Sequence, residues 1–346
     1  MIYANISPVS PHSVLVGMVA KEIANNFVGT VQEISANISS ELRFELERRA
    51  SNNCLLSLST PDREIAKAIV RNGVPALLVI RPFSELSCYA MARGELDLLA
   101  AIRHVTCEVS CLHPITRNPN LTTLSVDDDE PLSRLAVRIG VLLGFPVTEA
   151  NLGEILGENF KDWRDASVGD AIRTYVDGAQ DAFALQLQLS YRDKKLLEEM
   201  DGCYLPLLSR QSVERLNWPL ASMFVAEPPY KAVDTPIEML GPARILTFGP
   251  YFHLPEGGWV AEIAFSLTEN YSGNSLMVDV YTSSGEILAA SRGELPSGGT
   301  FSTRLSFRVA SSAARLELRT FVLAGALEGR FEILSVTLIR AGVPLS

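Results

Sequence analysis

The chain has 346 residues, 47% hydrophobic and 20% charged, with 40 acidic against 30 basic side chains and a net charge of −10. So much apolar residue excludes a disordered chain, because burying it offsets the entropy lost on ordering. The acidic balance repels a phosphate backbone and so excludes a basic nucleic-acid binder. The length fits about two domains. Five cysteines (Cys54, Cys88, Cys107, Cys111 and Cys203) are odd in number and scattered, the pattern of reduced thiols rather than of a disulfide framework. The opening MIYANISPVS has no Lys or Arg before its first apolar stretch. The longest apolar run, near residues 14–20, falls short of the roughly 20 residues that span a bilayer. A cytoplasmic protein without a membrane span is expected.

The first half alternates two periods. Residues 2–6 form a short β-type run that ends in the loop Pro8-Val9-Ser10-Pro11-His12-Ser13. Val16, Val19, Ala20, Ile23 and Phe27 then recur at helical spacing. Residues 41–49 carry mixed charges at that spacing, and 54–58 is a second strand. The stretch 61–71 reads as a helix, with Thr60 as N-cap, Pro61 at its first position and Gly73 as its stop. Ala76-Leu77-Leu78-Val79-Ile80 is a continuous apolar run of the kind buried on both faces of a parallel sheet. Residues 83–104 read as helical, and 121–126 as a fourth strand. Pro131 and the stripe Leu132, Leu135, Ala136, Ile139 and Leu143 follow. Strands alternating with helices predict an α/β domain: an open, mostly parallel sheet with flanking helices.

Beyond about residue 240 the period drops to two. Arg304-Leu305-Ser306-Phe307-Arg308-Val309 alternates, as do the runs around Leu276, Leu316 and Leu334, with Gly- and Pro-rich turns between them. Roughly seven short strands without a helix predict an all-β sandwich or jelly roll. A helix-leaning segment (164–202) and a proline-rich stretch lie between the halves. The expected division is residues 1–205, an irregular connection at 206–240, and 241–346.

Three segments of the first half, in this order, resemble P-loop sulfotransferases. They are the strand–loop–helix at 2–27, the segment Val79-Ile80-Arg81-Pro82-Phe83-Ser84-Glu85-Leu86-Ser87-Cys88-Tyr89, and the stretch 121–156 with Leu142-Leu143-Gly144-Phe145-Pro146. The resemblance implies PAPS as sulfuryl donor and a glycan hydroxyl as acceptor. It also implies Ser10 and Ser13 in the phosphosulfate loop, Arg81 and Cys88 at the 3′-phosphate, and His12 as the base that takes the acceptor's proton. The segment departs from the family in three ways. Its loop has two prolines, no glycine and no lysine, and each proline removes a backbone donor. Cys88 stands where the family has serine. Of the 30 basic residues only six are lysine, and Lys21 lies too far along the helix to match. A non-catalytic glycan-binding or scaffold protein with a decayed nucleotide site is therefore the alternative to a transferase.

The second half resembles a β-sandwich module attached to bacterial glycosyltransferases of surface-polysaccharide pathways. The residues that carry this are Phe248-Gly249-Pro250-Tyr251, His253-Leu254-Pro255 and Gly257-Gly258-Trp259. It implies a polysaccharide setting, and by residue type Trp259, Tyr251, Tyr271 and Tyr281 can form a sugar-stacking surface on the sandwich. The same aromatic types also fill sandwich cores. Other residues admit two readings as well. Ser10 or Ser13 can serve simply as a helix cap, and Arg81 can form a structural ion pair with Glu85. His104, Cys107, Cys111 and His113 are metal-ligand types without a second pair, so no metal is expected. Asp127-Asp128-Asp129-Glu130 suits the start of the helix at Pro131.

Overall fold

The two periods separate in the computed structural model, which describes residues 1–210 and 213–342. The chain divides into two units, Met1–Ser190 and Tyr191–Ser346. The first unit holds β1 (Ile2–Ile6), α1 (Pro11–Val28), β2 (Val31–Ser35), α2 (Ser39–Arg48), β3 (Asn53–Leu58), α3 (Arg63–Asn72), β4 (Ala76–Val79) and α4 (Phe83–Gly94). It continues with α5 (Leu98–Leu112), β5 (Leu121–Leu124), α6 (Leu132–Leu143), α7 (Leu152–Leu156), α8 (Val168–Tyr175) and α9 (Ala179–Gln188).

Its strands form one parallel sheet in the order β2-β3-β1-β4-β5. Parallel neighbours need crossovers, which the helices supply. The chain leaves central β1 for β2 at the far edge, then returns through β3 and crosses to β4 and β5. The direction of winding thus reverses at β1, and the carboxyl ends of these strands are where ligand sites form in such sheets. On α1 the residues Leu15, Val16, Val19, Ala20 and Ile23 are buried in one core with Leu132, Leu135, Ala136 and Ile139 of α6. Phe27 stacks on Phe145, with ring centroids 5.3 Å apart.

Three local readings change. β2 escapes the apolar count because it is an edge strand with only Val31 and Ile34 buried. The helical stretch expected over 83–104 is divided, since Glu95 turns left-handed (φ 51°) and the Asp97 side chain accepts from Ala100 N to start α5. Asp62, not Thr60, caps α3, because its carboxylate takes the amides of Glu64 and Ile65; Gly73 (φ 55°) ends that helix as expected.

The second unit opens with α10 (Tyr191–Tyr204); apart from 3-10 turns at Leu205–Leu208 and Leu220–Ser222, its other described elements are strands. These are β6 (Arg215–Trp218), β7 (Phe224–Val225), β8 (Ile237–Glu238), β9 (Arg244–Phe248), β10 (Pro250–Phe252) and β11 (Gly257–Thr268). β12 (Ser275–Thr282), β13 (Ile287–Glu294), β14 (Gly299–Val309), β15 (Leu316–Val322) and β16 (Arg330–Arg340) complete it. One antiparallel sheet runs β13-β12-β15-β9-β7 with β10 on β15, and the other β14-β11-β16-β6 with β8 on β16. Alternate residues are buried, among them Trp259, Ala261, Ile263 and Phe265 on one sheet and Leu276, Val278 and Val280 on the other. The proline-rich stretch 206–240 is more than connection, since β6, β7 and β8 come from it. Among the described residues no helix is long and apolar enough to cross a membrane.

Candidate functional site

In the first unit the polar groups gather where β1, β4 and β5 end. Ser10 caps α1: its side chain accepts from Ser13 N at 3.0 Å, and Ser13 Oγ accepts from Ser10 N at 2.9 Å. Both hydroxyls are committed to this reciprocal cap, with Pro11 at the first helical position. The cap directs His12 into the interior, where it is fully buried. There its Nδ1 lies 2.6 Å from Glu85 Oε1 and its Nε2 lies 2.5 Å from Asp128 Oδ1. Glu85 sits in the first turn of α4, only 6% exposed, and its second oxygen accepts from Arg81 Nε at 2.6 Å. Arg81 also donates through Nη1 to Val126 O at 2.8 Å, tying the ends of β4 and β5 together. One buried carboxylate thus holds both cationic-type side chains, and half-exposed Asp128 closes the chain at the surface.

A further buried carboxylate lies beneath the loop. Glu108 of α5 accepts from Val9 N at 3.2 Å. Burial pushes its carboxyl up, against the opposing effect of His104 at 3.5 Å. His104 is itself raised, first by its hydrogen bond to Glu108. Cys88 is fully buried one turn beyond Glu85, and burial pushes its thiol up to about 11.

Of the residues predicted for nucleotide chemistry, the fold brings His12 and Arg81 together through Glu85. Ser10 and Ser13 form a helix cap, and Cys88 lies in the core. These residues do not fit a phosphosulfate group. Pro8 and Pro11 have no amide to offer, and the amides of Val9, Ser10 and Ser13 are already bonded to protein oxygens. Glu85 occupies both groups that would meet an anion. The run at 127–130 does not cap α6, which starts at Pro131 without a side-chain cap. Asp128 instead reaches His12, and Glu130 pairs with Arg138 at 2.7 Å. Among the described residues no group of three or more His, Cys, Asp or Glu is placed to hold a metal ion.

In the second unit β12 and β15 are neighbours with Asp279 opposite Arg319, Tyr281 opposite Glu317 and Met277 opposite Phe321. Because side chains alternate, these six share the outer face while Leu276, Val278, Val280 and Leu318 point into the core. Arg319 donates to Asp279 twice, at 2.9 Å and 2.6 Å, which fixes the guanidinium plane. Arg319 Cζ lies 3.8 Å from the Tyr281 ring centroid and 5.2 Å from that of Phe321, and both rings are half-buried. Tyr251 joins the same face, its hydroxyl donating to Glu317 at 2.9 Å. It holds a left-handed backbone (φ 67°), unusual for a bulky residue. Phe248 lies 6.2 Å from Tyr251 and 5.8 Å from Tyr230, which is 53% exposed. Trp259 is elsewhere: it is 1% exposed, its Nε1 donates to Pro255 O, and Arg340 covers its ring at 4.9 Å. It packs the core and offers no face to a sugar. The Met-x-Asp-x-Tyr and Glu-x-Arg-x-Phe alternations were the sequence signal for the outer face.

No family model and no curated protein matches the chain. Solved structures to which parts of it are similar include an arabinose-bound α-L-arabinofuranosidase, MgGH51, at 11% identity and TM-score 0.24, covering 40% of this chain and 24% of that one. A xylan-binding module, CBM15, aligns at 12% identity and TM-score 0.27, covering 38% and 98%. The C-terminal CBM6 of LamC, a marine laminarinase from Zobellia galactanivorans, aligns at 13% and TM-score 0.20, covering 38% and 92%. The chain thus spans about a quarter of the first and nearly all of the two modules. At such scores they say nothing about ligand or activity, and the reading below rests on the residues of this chain.

Proposed function

We propose that the chain is a glycan-binding protein and that the outer face of β12 and β15 takes the sugar. The observation that carries this is Arg319, held by buried Asp279 over the half-buried rings of Tyr281 and Phe321. The C–H faces of a sugar ring pack on electron-rich aromatic faces, while its hydroxyls meet fixed, charged hydrogen-bond partners. Tyr251 and Glu317 extend the platform with a second ring and carboxylate. Trp259 has no part in it. Polysaccharide of the bacterial surface is the class of ligand to try first. A glycan array probed with the full chain should give binding that Tyr281→Ala with Phe321→Ala weakens at least about tenfold. A blank array with folded protein sinks the proposal.

Sulfuryl transfer from PAPS to a glycan hydroxyl is the competing reading; the loop before α1 disfavours it, since Glu85 already bonds both His12 and Arg81 at the carboxyl edge of the sheet. Calorimetry with PAP, the desulfated donor, separates the two. Absence of heat at millimolar PAP removes the transferase reading, and binding that survives Arg81→Ala removes the role given to Arg81.

A further inference from the structure

The carboxyl edge of the parallel sheet also holds a cleft of about 280 Å³ beside the first turns of α1. Asn5, Ser7, Ser13, Ser35, Ser57 and Ser59 line it, drawn from the ends of β1, β2 and β3 and from α1. This is where the winding of the sheet reverses, the ordinary place for a ligand in an open α/β sheet. The wall is already ordered. Asn5 Nδ2 donates to Ser13 O at 2.8 Å, and Ser7 Oγ donates to Asn5 Oδ1 at 3.2 Å while accepting from Val79 N at 2.9 Å. Gly17 makes room for that amide, since a Cβ there would lie 3.0 Å from Asn5 Nδ2. Ser57 Oγ donates to Glu33 Oε1 at 3.1 Å, and Lys21 neutralises the same carboxylate at 3.3 Å.

The chemistry selects the ligand. A phosphate asks for donors only, and a helix N-terminus supplies them through free amides. Here the amides of Val9, Ser10 and Ser13 are bonded to protein oxygens, and Glu33 adds a carboxylate to the lining. Arg93 is the one cationic side chain in that lining. The hydroxyls of Ser35 and Ser59, with the remaining acceptor positions of Ser7 and Ser57, offer donors and acceptors together, which is what a hydroxylated ligand presents. The volume lies just below the usual range of about 300–1,000 Å³ and suits one sugar ring, not a nucleotide. We infer that this cleft binds a small, uncharged, polyhydroxylated ligand of monosaccharide size, independently of the sandwich face.

The test uses the full chain carrying Tyr281→Ala and Phe321→Ala, which silences the sandwich face. Ligand-observed saturation-transfer NMR is run with millimolar D-glucose, D-galactose, D-mannose and L-rhamnose. At least one sugar should give a signal, and adding Ser57→Ala with Ser59→Ala should weaken its binding about tenfold. Ser35→Ala, on an exposed edge strand, gives the same readout should the double serine variant misfold. No signal from any of the four sugars overturns the inference. So does a signal indifferent to the serine variants, or one displaced by inorganic phosphate, which would mark an anion site. The array result for the native sandwich is read separately, so either proposal can fail alone.

Discussion

Removing the Glu85 carboxylate is the sharpest test of how the first unit is held together. In Glu85→Ala, Arg81 keeps its bond to Val126 O and His12 keeps Asp128, while the fully buried His12 Nδ1 loses its partner. Two charge-assisted contacts of 2.6 Å are lost at once. Breaking a buried pair by deleting one partner costs about 3–5 kcal/mol, most of it from the charge left behind. The tether between the ends of β4, β5 and α1 goes with it. Urea unfolding followed by the helical circular dichroism signal reads the change. With a slope of about 2 kcal/mol per molar urea, the midpoint should fall by about 2 M. Glu85→Gln, which keeps the volume and an acceptor, should lose about half as much. Lys21→Ala, which breaks an exposed pair, should stay within about 1 kcal/mol. A loss below about 1 kcal/mol in Glu85→Ala would refute the central role given to this carboxylate.

Four further outcomes are expected. Gly140→Ala should destabilise by about 1–3 kcal/mol, because its Cβ would lie 2.2 Å from Val147 Cγ2, and Val147→Ala should restore most of the loss in the double variant. Asp62→Ala should cost about 1–2 kcal/mol in thermal melts. Burial alone would raise the Asp62 carboxyl, but the amides of Ile65, Ser39 and Glu64 lower it on balance, so its stabilisation is present above the usual carboxylate range and fades as pH falls through the lowered value; Asp62→Asn should flatten that acid limb. His104 should titrate above the ordinary histidine range by NMR and return toward it in Glu108→Gln; its stabilisation is present at low pH and is lost as pH rises through the raised value. Glycan affinity should change little between low and high salt, since Arg319 is already neutralised by Asp279, and a steep fall would point to an anionic glycan instead.

Much of the architecture was legible because buried faces impose their period on the chain. The stripe on α1, the run at 76–80 and the alternation after residue 240 are each long enough to outvote local noise. β2 was not, since an edge strand buries only two side chains and reads as loop. The break between α4 and α5 depended on Glu95 and Asp97, whose effect is conformational and leaves no hydrophobic trace. At the candidate sites the sequence named single residues and missed the contacts that join them. His12 and Arg81 do meet, but Glu85 joins them, and the pairing of His12 with Asp128 spans more than a hundred residues. Nothing in a linear pattern marks such a contact. Trp259 carried the strongest sugar signal by residue type and proved to be core, whereas Phe321 drew no notice and lies on the face. Residue type records what a side chain is able to do; the pleat decides which side of the sheet it does it on.

The same logic bears on the lysine-poor, glycine-free loop. A cradle that had only lost its ligand would leave amides and cations unsatisfied near the start of α1, and buried unsatisfied groups are costly. Instead Glu108 takes Val9 N, Ser10 and Ser13 take each other's amides, and Glu85 takes both Arg81 and His12. The chain's own carboxylates and hydroxyls stand where an anion's oxygens would otherwise be needed. An incoming phosphate would have to displace a carboxylate that is 6% exposed and bonded at 2.6 Å on both oxygens. Beside it the cleft is lined by serines, of which Ser35 and Ser59 lie at the strand ends, and on the sandwich half-buried rings surround a neutralised arginine. Neither surface carries the net charge that an anionic ligand requires, and both carry the mixed donors and acceptors that sugar hydroxyls match.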